Sequence, residues 1–196
     1  MKRSRLYLGV ALLLVAAGLA AFLLGRIAKP GLDNLAGTAL QNPVDVSDVS
    51  LTSADGEMFA FGALEDAVTL VFFGFTNCPD VCPLTLSRLG ETYRALGEPD
   101  DLQVVFITVD PDDSPEQTQQ YAAAFHPSFI GLSGTNSELT ATLKHFFAAA
   151  NSLGNRQFAH TDAVYVVNGQ GQVTWLYGDD DLSNLDDDLP KLLRQG

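Results

Sequence analysis

Two cysteines lie four positions apart in "GFTNCPDVCPLTLSR", residues 74 to 88, and they are the only cysteines of the chain. Cys78 and Cys82 are each followed by a proline. Such a pair can form a structural disulfide, exchange disulfides with a partner, or bind a soft metal ion through thiolates. Two cysteines are too few for a disulfide scaffold, and a domain of about 150 residues can bury a core without one. The pair therefore needs a local, chemical explanation.

The local sequence predicts a shaped loop at this pair. A residue before proline is disfavoured in the α region, so we expect the next helix to begin near Pro83. Cys82 would then lie at or near the helix N-cap, where N–H groups and the positive end of the helix dipole stabilise a thiolate. The loop follows the apolar run 67–75, which is typical of a buried central strand. Open α/β sheets place their sites at the carboxyl ends of such strands.

The metal hypothesis needs ligands beyond the two sulfurs. Thiolates favour Cu(I), zinc or iron–sulfur clusters, but two of them complete neither a tetrahedral zinc site nor a cluster. Two sulfurs and one imidazole would suit three-coordinate copper. Of the three histidines, His126 is predicted to end a helix, in a C-terminal dipole or capping role. His145 is predicted to take a surface or boundary role on a helix, and His160 to lie in a loop directly before a strand. A rigid strand supports a ligand well, although the residues alone leave a non-ligand role open for His160.

The elements around these residues alternate between strands and helices. The first half of the pattern predicts a hairpin turning at Asp55-Gly56, a strand at 67–75, a helix at 84–96 and a strand at 103–109. A helix from Ser114 to about Phe125, a short strand or turn within 129–134 and a helix capped by Asn136 or Ser137 follow. The last predicted elements are a hairpin of 163–167 and 172–177 and a terminal helix interrupted by Pro190. This order predicts an α/β fold with a mixed sheet and helices on both faces.

An apolar segment near the N-terminus predicts a transmembrane helix. Leu6–Leu24 is 19 residues without a charge, which nearly spans a hydrocarbon core about 30 Å thick. Three basic residues precede it and two follow it, so the positive-inside rule places the following domain outside the cytoplasm. A cleaved signal peptide is the alternative. We therefore predict an anchor or signal sequence in 1–27, a linker in 28–43 and one domain in 44–196.

The charge of the chain is strongly uneven. All 24 acidic residues lie after position 30, together with only six of the 11 basic ones, a difference of −18. This balance excludes nucleic acid as a partner, because phosphate binding needs a basic face. It fits a domain that takes up cations or meets basic partners, and it equally fits solubility alone.

Three features together resemble the Sco/SenC family over roughly residues 44 to 196. They are "VFFGFTNCPDVCPLTLSRL", "VVFITVDPDDSPEQ", and a histidine before a strand followed by an "NGQG" turn. The resemblance implies a thioredoxin-like, membrane-anchored protein of the cytoplasmic membrane whose extracytoplasmic domain delivers copper to cytochrome c oxidase. It implies that Cys78, Cys82 and His160 bind copper. The implied partners are the copper-site subunit of the oxidase, other copper chaperones and thiol reductants.

The sequence departs from the family pattern at two places. Ala159 occupies the position before the histidine where an aspartate is common, and Asn168-Gly169 replaces an Asp-Pro turn. Asp162 is a candidate for the missing carboxylate. These differences concern the groups around the ligands rather than the ligands. Asp80, between the cysteines, either sets local charge or contacts a partner, or it simply forms a turn.

Two further functions compete with copper delivery. A thiol–disulfide oxidoreductase that keeps the oxidase's copper-ligand cysteines reduced would need Cys78 and Cys82 but not His160. A peroxiredoxin-type peroxidase would share the fold class, but it usually has a Thr-x-x-Cys arrangement and a nearby arginine. Here Thr76 is two positions before Cys78, and the nine residues before Cys78 contain no arginine. The peroxidase hypothesis is therefore the weakest.

Overall fold

A mixed β-sheet forms the centre of the protein. The computed structural model describes residues 34–64 and 67–194, and within them the chain forms ten strands and five α-helices. The strands are β1 (Thr38–Asp45), β2 (Ser50–Thr52), β3 (Met58–Ala60), β4 (Val68–Gly74), β5 (Leu102–Thr108), β6 (Ile130–Leu132), β7 (Ala150–Gly154), β8 (Gln157–His160), β9 (Ala163–Val167) and β10 (Gln172–Gly178). The helices are α1 (Val81–Ala95), α2 (Pro115–Ala123), α3 (Asn136–His145), α4 (Asp179–Leu182) and α5 (Leu185–Leu193), with a 3-10 turn at Phe61–Ala63.

Six of these strands form the central sheet, in the order β1-β10-β9-β4-β5-β6. β4 pairs with β5 and β5 with β6 in parallel, whereas β4–β9, β9–β10 and β10–β1 are antiparallel. The predicted mixed sheet is confirmed. Two further hairpins, β2–β3 and β7–β8, each form a separate two-stranded sheet. The first turns at Gly56, as predicted, and the second was not predicted from the sequence.

The central strand β4 organises packing on both faces of the sheet. All seven of its residues are buried, as the β-branched and aromatic run predicts. Neighbouring residues of a strand point to opposite faces. Phe72 packs on Phe106, which in turn contacts Tyr121 of α2, whereas Phe73 packs on Phe146 directly after α3. Helices therefore cover both faces, which confirms that prediction.

The predicted linker contains the first strand. β1 begins at Thr38, inside the range 28–43, and pairs with β10 at the edge of the sheet. The predicted anchor at Leu6–Leu24 lies outside the described residues. Among the residues that the structure describes, no helix is both long enough and apolar enough to cross a bilayer.

Two details predicted for the helices are wrong. Thr135 is the N-cap of α3, rather than Asn136 or Ser137, because its side chain and that of Glu138 form a reciprocal capping box. Pro190 lies inside α5 without interrupting it. The helix loses one backbone hydrogen bond there but buries an apolar face, made of Leu185, Leu189 and Leu192, that holds it on the domain.

Candidate metal centre

The cysteine pair lies between β4 and α1. The backbone N–H of Cys78 donates to the carbonyl of Phe75 at 3.1 Å, which closes a turn just after the strand. α1 begins at Val81, two residues before Pro83, so Cys82 lies in its first turn, near the N-cap as predicted. Pro83 fits this position because the first four N–H groups of a helix have no partner within it. The N–H of Cys82 donates to the sulfur of Cys78 at 3.4 Å.

Cys82 is fully buried, and a glycine makes room for it. A Cβ atom on Gly74 would lie 2.8 Å from the Cys82 Sγ and 2.8 Å from the Phe106 ring. Cys78, by contrast, is only partly buried. Burial raises the pKa of the Cys82 thiol strongly, and its hydrogen bond with Cys78 raises it further. Metal binding at this sulfur would therefore displace a proton.

His160 reaches the sulfurs from the β7–β8 hairpin. It is the last residue of β8, not part of a loop as predicted, and it pairs with Ala150 of β7. Its Nε2 lies 3.5 Å from the Cys82 Sγ, and its Nδ1 lies 3.1 Å from the carbonyl oxygen of Thr161. In a neutral ring whose Nδ1–H donates to that carbonyl, the Nε2 lone pair faces the sulfurs.

The three side chains converge on one point. One ligand atom from each of Cys78, Cys82 and His160 lies within 4.8 Å of the other two. Two sulfurs and one imidazole nitrogen form a soft donor set of the kind that suits three-coordinate copper. The donor chemistry and the spacing therefore fit a copper ion.

Aromatic side chains form one wall of this cluster. The His160 ring packs edge-on against Phe72 and Phe75, at centroid distances of 5.9 and 6.1 Å. Phe158, two residues before His160, packs on Phe75 at 5.4 Å. Phe72 and Phe75 are core residues, as predicted, and they also fix the orientation of the imidazole.

The other two histidines lie in different surroundings. His145 is exposed at the end of α3, which confirms its predicted surface position. His126 is buried three residues beyond the end of α2, and the C-cap of that helix is Ala124, so the predicted capping role is wrong, whereas the role at the helix dipole stays a prediction. Its Nδ1 accepts from the N–H of Ser128 at 3.2 Å, and its ring packs on Tyr93 at 4.8 Å. The His126 ring therefore stabilises the turn at 126–128.

The two departures from the family pattern leave the cluster intact. Ala159 is exposed, and the backbone carbonyl of Thr161 contacts the His160 Nδ1. Asp162 is half-buried, and its burial raises its pKa. Asp80 is exposed at the N-cap of α1 without a capping hydrogen bond from its side chain. Both carboxylates line a cleft of about 500 Å³ along α1.

A buried acidic pair near the cluster was not predicted as functional. Asp110 and Asp113 lie in the "TVDPDDSPEQ" segment, which served only as a family signature. Arg156 forms ion pairs with both, at 2.8 Å to Asp110 and 2.6 Å to Asp113. No spacing rule links Arg156 to residues more than 40 positions away, so only the tertiary structure reveals the network.

The family follows from comparison with known proteins. A family model described as SCO1/SenC matches residues 38–191. The chain belongs to the SCO1/SenC family. A SCO2-like protein of Rickettsia felis is 35% identical over 133 residues, covering 64% of this chain and 65% of that protein. The chain therefore matches less than two thirds of that relative's length.

Solved structures of the family share the fold. Arabidopsis thaliana ScoI with copper bound is 30% identical, has a TM-score of 0.70, and is matched over 79% of this chain and 98% of its own. BsSco, a member of the Sco family of cytochrome c oxidase assembly proteins in which a disulfide switch was identified, is 26% identical, with a TM-score of 0.65, over 80% of this chain and 96% of its own. These matches confirm the predicted thioredoxin-like fold.

Proposed function

We propose that this protein is a membrane-anchored, extracytoplasmic copper metallochaperone that supplies the dinuclear copper site of cytochrome c oxidase. The observation that carries the proposal is the convergence of Cys78, Cys82 and His160 within 4.8 Å. Copper is the cargo in this proposal. The known copper-bound and oxidase-assembly relatives support it.

The exposure of the ligands suits uptake and release of a metal ion. Cys82 is fully buried, whereas Cys78 and His160 are partly exposed. Incoming thiolates or imidazoles of an acceptor could replace the exposed ligands first and the buried sulfur last. Such stepwise ligand exchange lets copper pass between proteins without being released to water.

Features of the sequence support the proposed location and partners. Leu6–Leu24 would anchor the chain once in the cytoplasmic membrane, and tethering would raise its effective concentration near a membrane-bound acceptor. The copper-site subunit of the oxidase is the proposed acceptor, with other copper chaperones and thiol reductants as further partners. The acidic surface, including the cleft along α1, would favour a basic face on the partner.

Copper titration of the purified full-length protein tests the proposal. We expect the reduced protein to bind one copper and the disulfide form almost none, because oxidation removes both thiolate ligands. Cys78→Ala and Cys82→Ala should each abolish tight binding. His160→Ala should weaken binding by about 10- to 100-fold, while the exposed His145 provides the matched control His145→Ala, which should bind like the wild type. Equal binding by the reduced and oxidised forms would contradict the proposal.

A thiol–disulfide oxidoreductase is the second candidate, and the geometry of the cysteines favours it specifically. The partly exposed Cys78 accepts a hydrogen bond from the first turn of α1, so its sulfur lies beside Cys82 at a position that a substrate disulfide can approach. Its thiolate would attack a substrate disulfide, forming a mixed disulfide and releasing one substrate thiolate. Cys82, after losing its proton, would attack Cys78 and release the second. The substrate gains two electrons, the Cys78–Cys82 disulfide forms, and a thiol reductant must regenerate the pair.

The same His160→Ala variant separates the two functions. Disulfide reduction needs both sulfurs but no imidazole, so the variant should reduce a model disulfide at nearly the wild-type rate while binding copper weakly. Cells that carry it should lack oxidase activity at low copper. If the variant keeps full copper affinity and normal oxidase assembly, His160 is not a ligand and the oxidoreductase function is preferred.

A further inference from the structure

The tip of the β7–β8 hairpin carries an arginine where a glycine would be favoured. Gly154 pairs with Gln157, so Asn155 and Arg156 form a two-residue loop, and their φ angles are +53° and +55°. Two positive φ angles are characteristic of a type I′ turn, in which Asn-Gly is the preferred sequence. A long side chain is strained there, and strain of this kind persists where surrounding contacts compensate for it.

The compensating contacts are ion pairs with two buried carboxylates. The Arg156 Nε donates to Asp110 Oδ2 at 2.8 Å, and its terminal nitrogen donates to Asp113 Oδ1 at 2.6 Å. The Asp110 and Asp113 side chains are 3% and 0% exposed, whereas that of Arg156 is 40% exposed. Charge-assisted hydrogen bonds to carboxylates are strong. Breaking them here is costly as well, because the buried carboxylates would be left desolvated and unpaired.

Asp113 also holds the cysteine loop. It accepts from the backbone N–H of Thr76 at 2.9 Å and from the Thr76 hydroxyl at 2.6 Å. Thr108, at the end of β5, donates to it at 2.7 Å. Thr76 is two positions before Cys78, and Arg156 is four positions before His160. One buried carboxylate therefore connects the strand of the imidazole to the loop of the sulfurs.

We propose that the ion pairs of Arg156 with Asp110 and Asp113 form a latch that holds the β7–β8 hairpin against the cysteine loop and positions His160 over the sulfurs. Arg156 is thus a positioning residue that acts through His160. This inference rests on the proposed copper function. It adds a residue outside the three ligands that fixes the distance between the His160 ring and the two sulfurs.

The direction in which copper affinity changes when Arg156 is replaced distinguishes a latch from a purely electrostatic effect. Removing the charge of Arg156 leaves the neighbourhood of the site more negative, which by Coulomb attraction alone would favour a bound cation. Loss of a latch would do the reverse, because His160 would no longer be held at the sulfurs. Arg156→Gly is the informative variant, since glycine suits the turn and preserves the hairpin while removing the ion pairs.

The first measurement uses the metal-free, reduced, full-length protein. His160 lies against Cys82, which is fully buried, so opening of the hairpin should expose that sulfur to a small alkylating reagent. We expect alkylation of Cys82 to be about tenfold faster in Arg156→Gly than in the wild type. Arg194→Gly, at an exposed arginine after α5, is the matched control and should react like the wild type. The denaturant midpoints of both variants show whether the whole domain is affected.

The second measurement is copper binding by the same proteins. Arg156→Gly should bind copper about 10- to 100-fold more weakly, and its Cu(II) absorption spectrum should resemble that of His160→Ala. Arg156→Lys, which keeps the charge but not the forked donor, should recover part of the loss. A structural defect alone would not reproduce the spectrum of the histidine variant.

The outcomes are distinguishable. Faster alkylation together with weaker copper binding supports the latch. If Arg156→Gly is alkylated at the wild-type rate, the latch is overturned. It is also overturned if the wild type binds copper and Arg156→Gly binds it equally well or more tightly. If the wild type binds no copper, the proposed function fails, and the alkylation rate still decides whether Arg156 holds the hairpin closed.

Discussion

The two cysteines have unequal surroundings, and this inequality defines the chemistry of the site. Cys78 is partly exposed in the loop before α1, whereas Cys82, in the first turn of α1, is fully buried and its pKa is raised. A partner can therefore approach Cys78, but it meets Cys82 only after the site opens or ligands exchange. In the proposed copper transfer and in the alternative disulfide exchange alike, Cys78 would be the sulfur that a partner contacts first.

Gly74 gives a residue-scale test of how tightly Cys82 is held. In Gly74→Ala the new Cβ would lie 2.8 Å from the Cys82 Sγ, so the sulfur or the strand must move. Overpacking of this kind costs about 1–3 kcal/mol. We expect copper affinity to fall by about tenfold or more, measured by competition with a chelator. Gly178→Ala is the control, because a Cβ there meets nothing within 4 Å. Equal affinities in both variants would show that Cys82 is not constrained by β4.

At the scale of elements, a buried carboxylate joins the two ends of the domain. Asp188 of α5 accepts from the backbone N–H of Ala36 at 2.7 Å, from the Tyr177 hydroxyl at 3.0 Å and from Lys191 at 3.1 Å. It thereby ties the segment before β1, strand β10 and helix α5 together. The fold depends here on a polar contact between elements that are far apart in sequence.

Tyr177 makes this junction sensitive to alkaline pH. Burial raises the pKa of its hydroxyl, and the charge of Asp188 raises it further. Above a pH of about 10 the unfolded chain loses this proton while the folded chain keeps it, so stability falls as pH rises. The wild type should therefore lose up to about 1.4 kcal/mol per pH unit relative to Tyr177→Phe.

Urea unfolding of both proteins, metal-free and reduced, at pH values below and above about 10 measures this difference. Tyr177→Phe should start about 0.5–1.5 kcal/mol less stable, because it lacks the hydrogen bond to Asp188, and the gap should close as pH rises. Stability curves that stay parallel across this range would show that the folded environment does not raise the pKa of Tyr177.

At the scale of the whole molecule, the chain divides its charge between two parts. Five of the 11 basic residues flank an apolar N-terminal segment, and all 24 acidic residues follow it. This arrangement suits an anchored domain that stays soluble and repels anionic surfaces. The domain has the fold of its family. Its candidate metal centre takes one residue from each of three segments, namely the cysteine loop, the start of α1 and the β7–β8 hairpin.

The proposed anchor can be tested in a bacterial host. The full-length chain should remain in the membrane fraction after a carbonate wash, and its mass should show that residues 1–27 are retained. Leu13→Arg with Val15→Arg should release it, since each arginine at the centre of a span costs about 2.5–3.5 kcal/mol. Leu13→Ala with Val15→Ala is the matched control and should stay membrane-bound. A shortened, soluble wild-type product would instead identify a cleaved signal peptide.

The sequence by itself determined the features that depend on local patterns. The apolar run before Cys78 predicted the central strand, Asp55-Gly56 predicted a hairpin, and the alternating elements predicted a mixed sheet with helices on both faces. Apolar periodicity and turn residues act over a few neighbouring positions, so the strands, helices and turns that they specify can be predicted from the sequence. The position of His160 directly before a predicted strand, together with the family resemblance, likewise indicated it as the third member of the cluster.

Only the tertiary structure decided how these parts meet. The burial of Cys82, its approach to His160 and the ion pairs of Arg156 depend on groups that lie far apart in sequence. No local preference specifies such contacts, because burial and paired charges become favourable only after the sheet has brought the segments together. The physical reason is that ion pairs and ligand clusters are selected by three-dimensional proximity, which a residue's immediate neighbours do not encode.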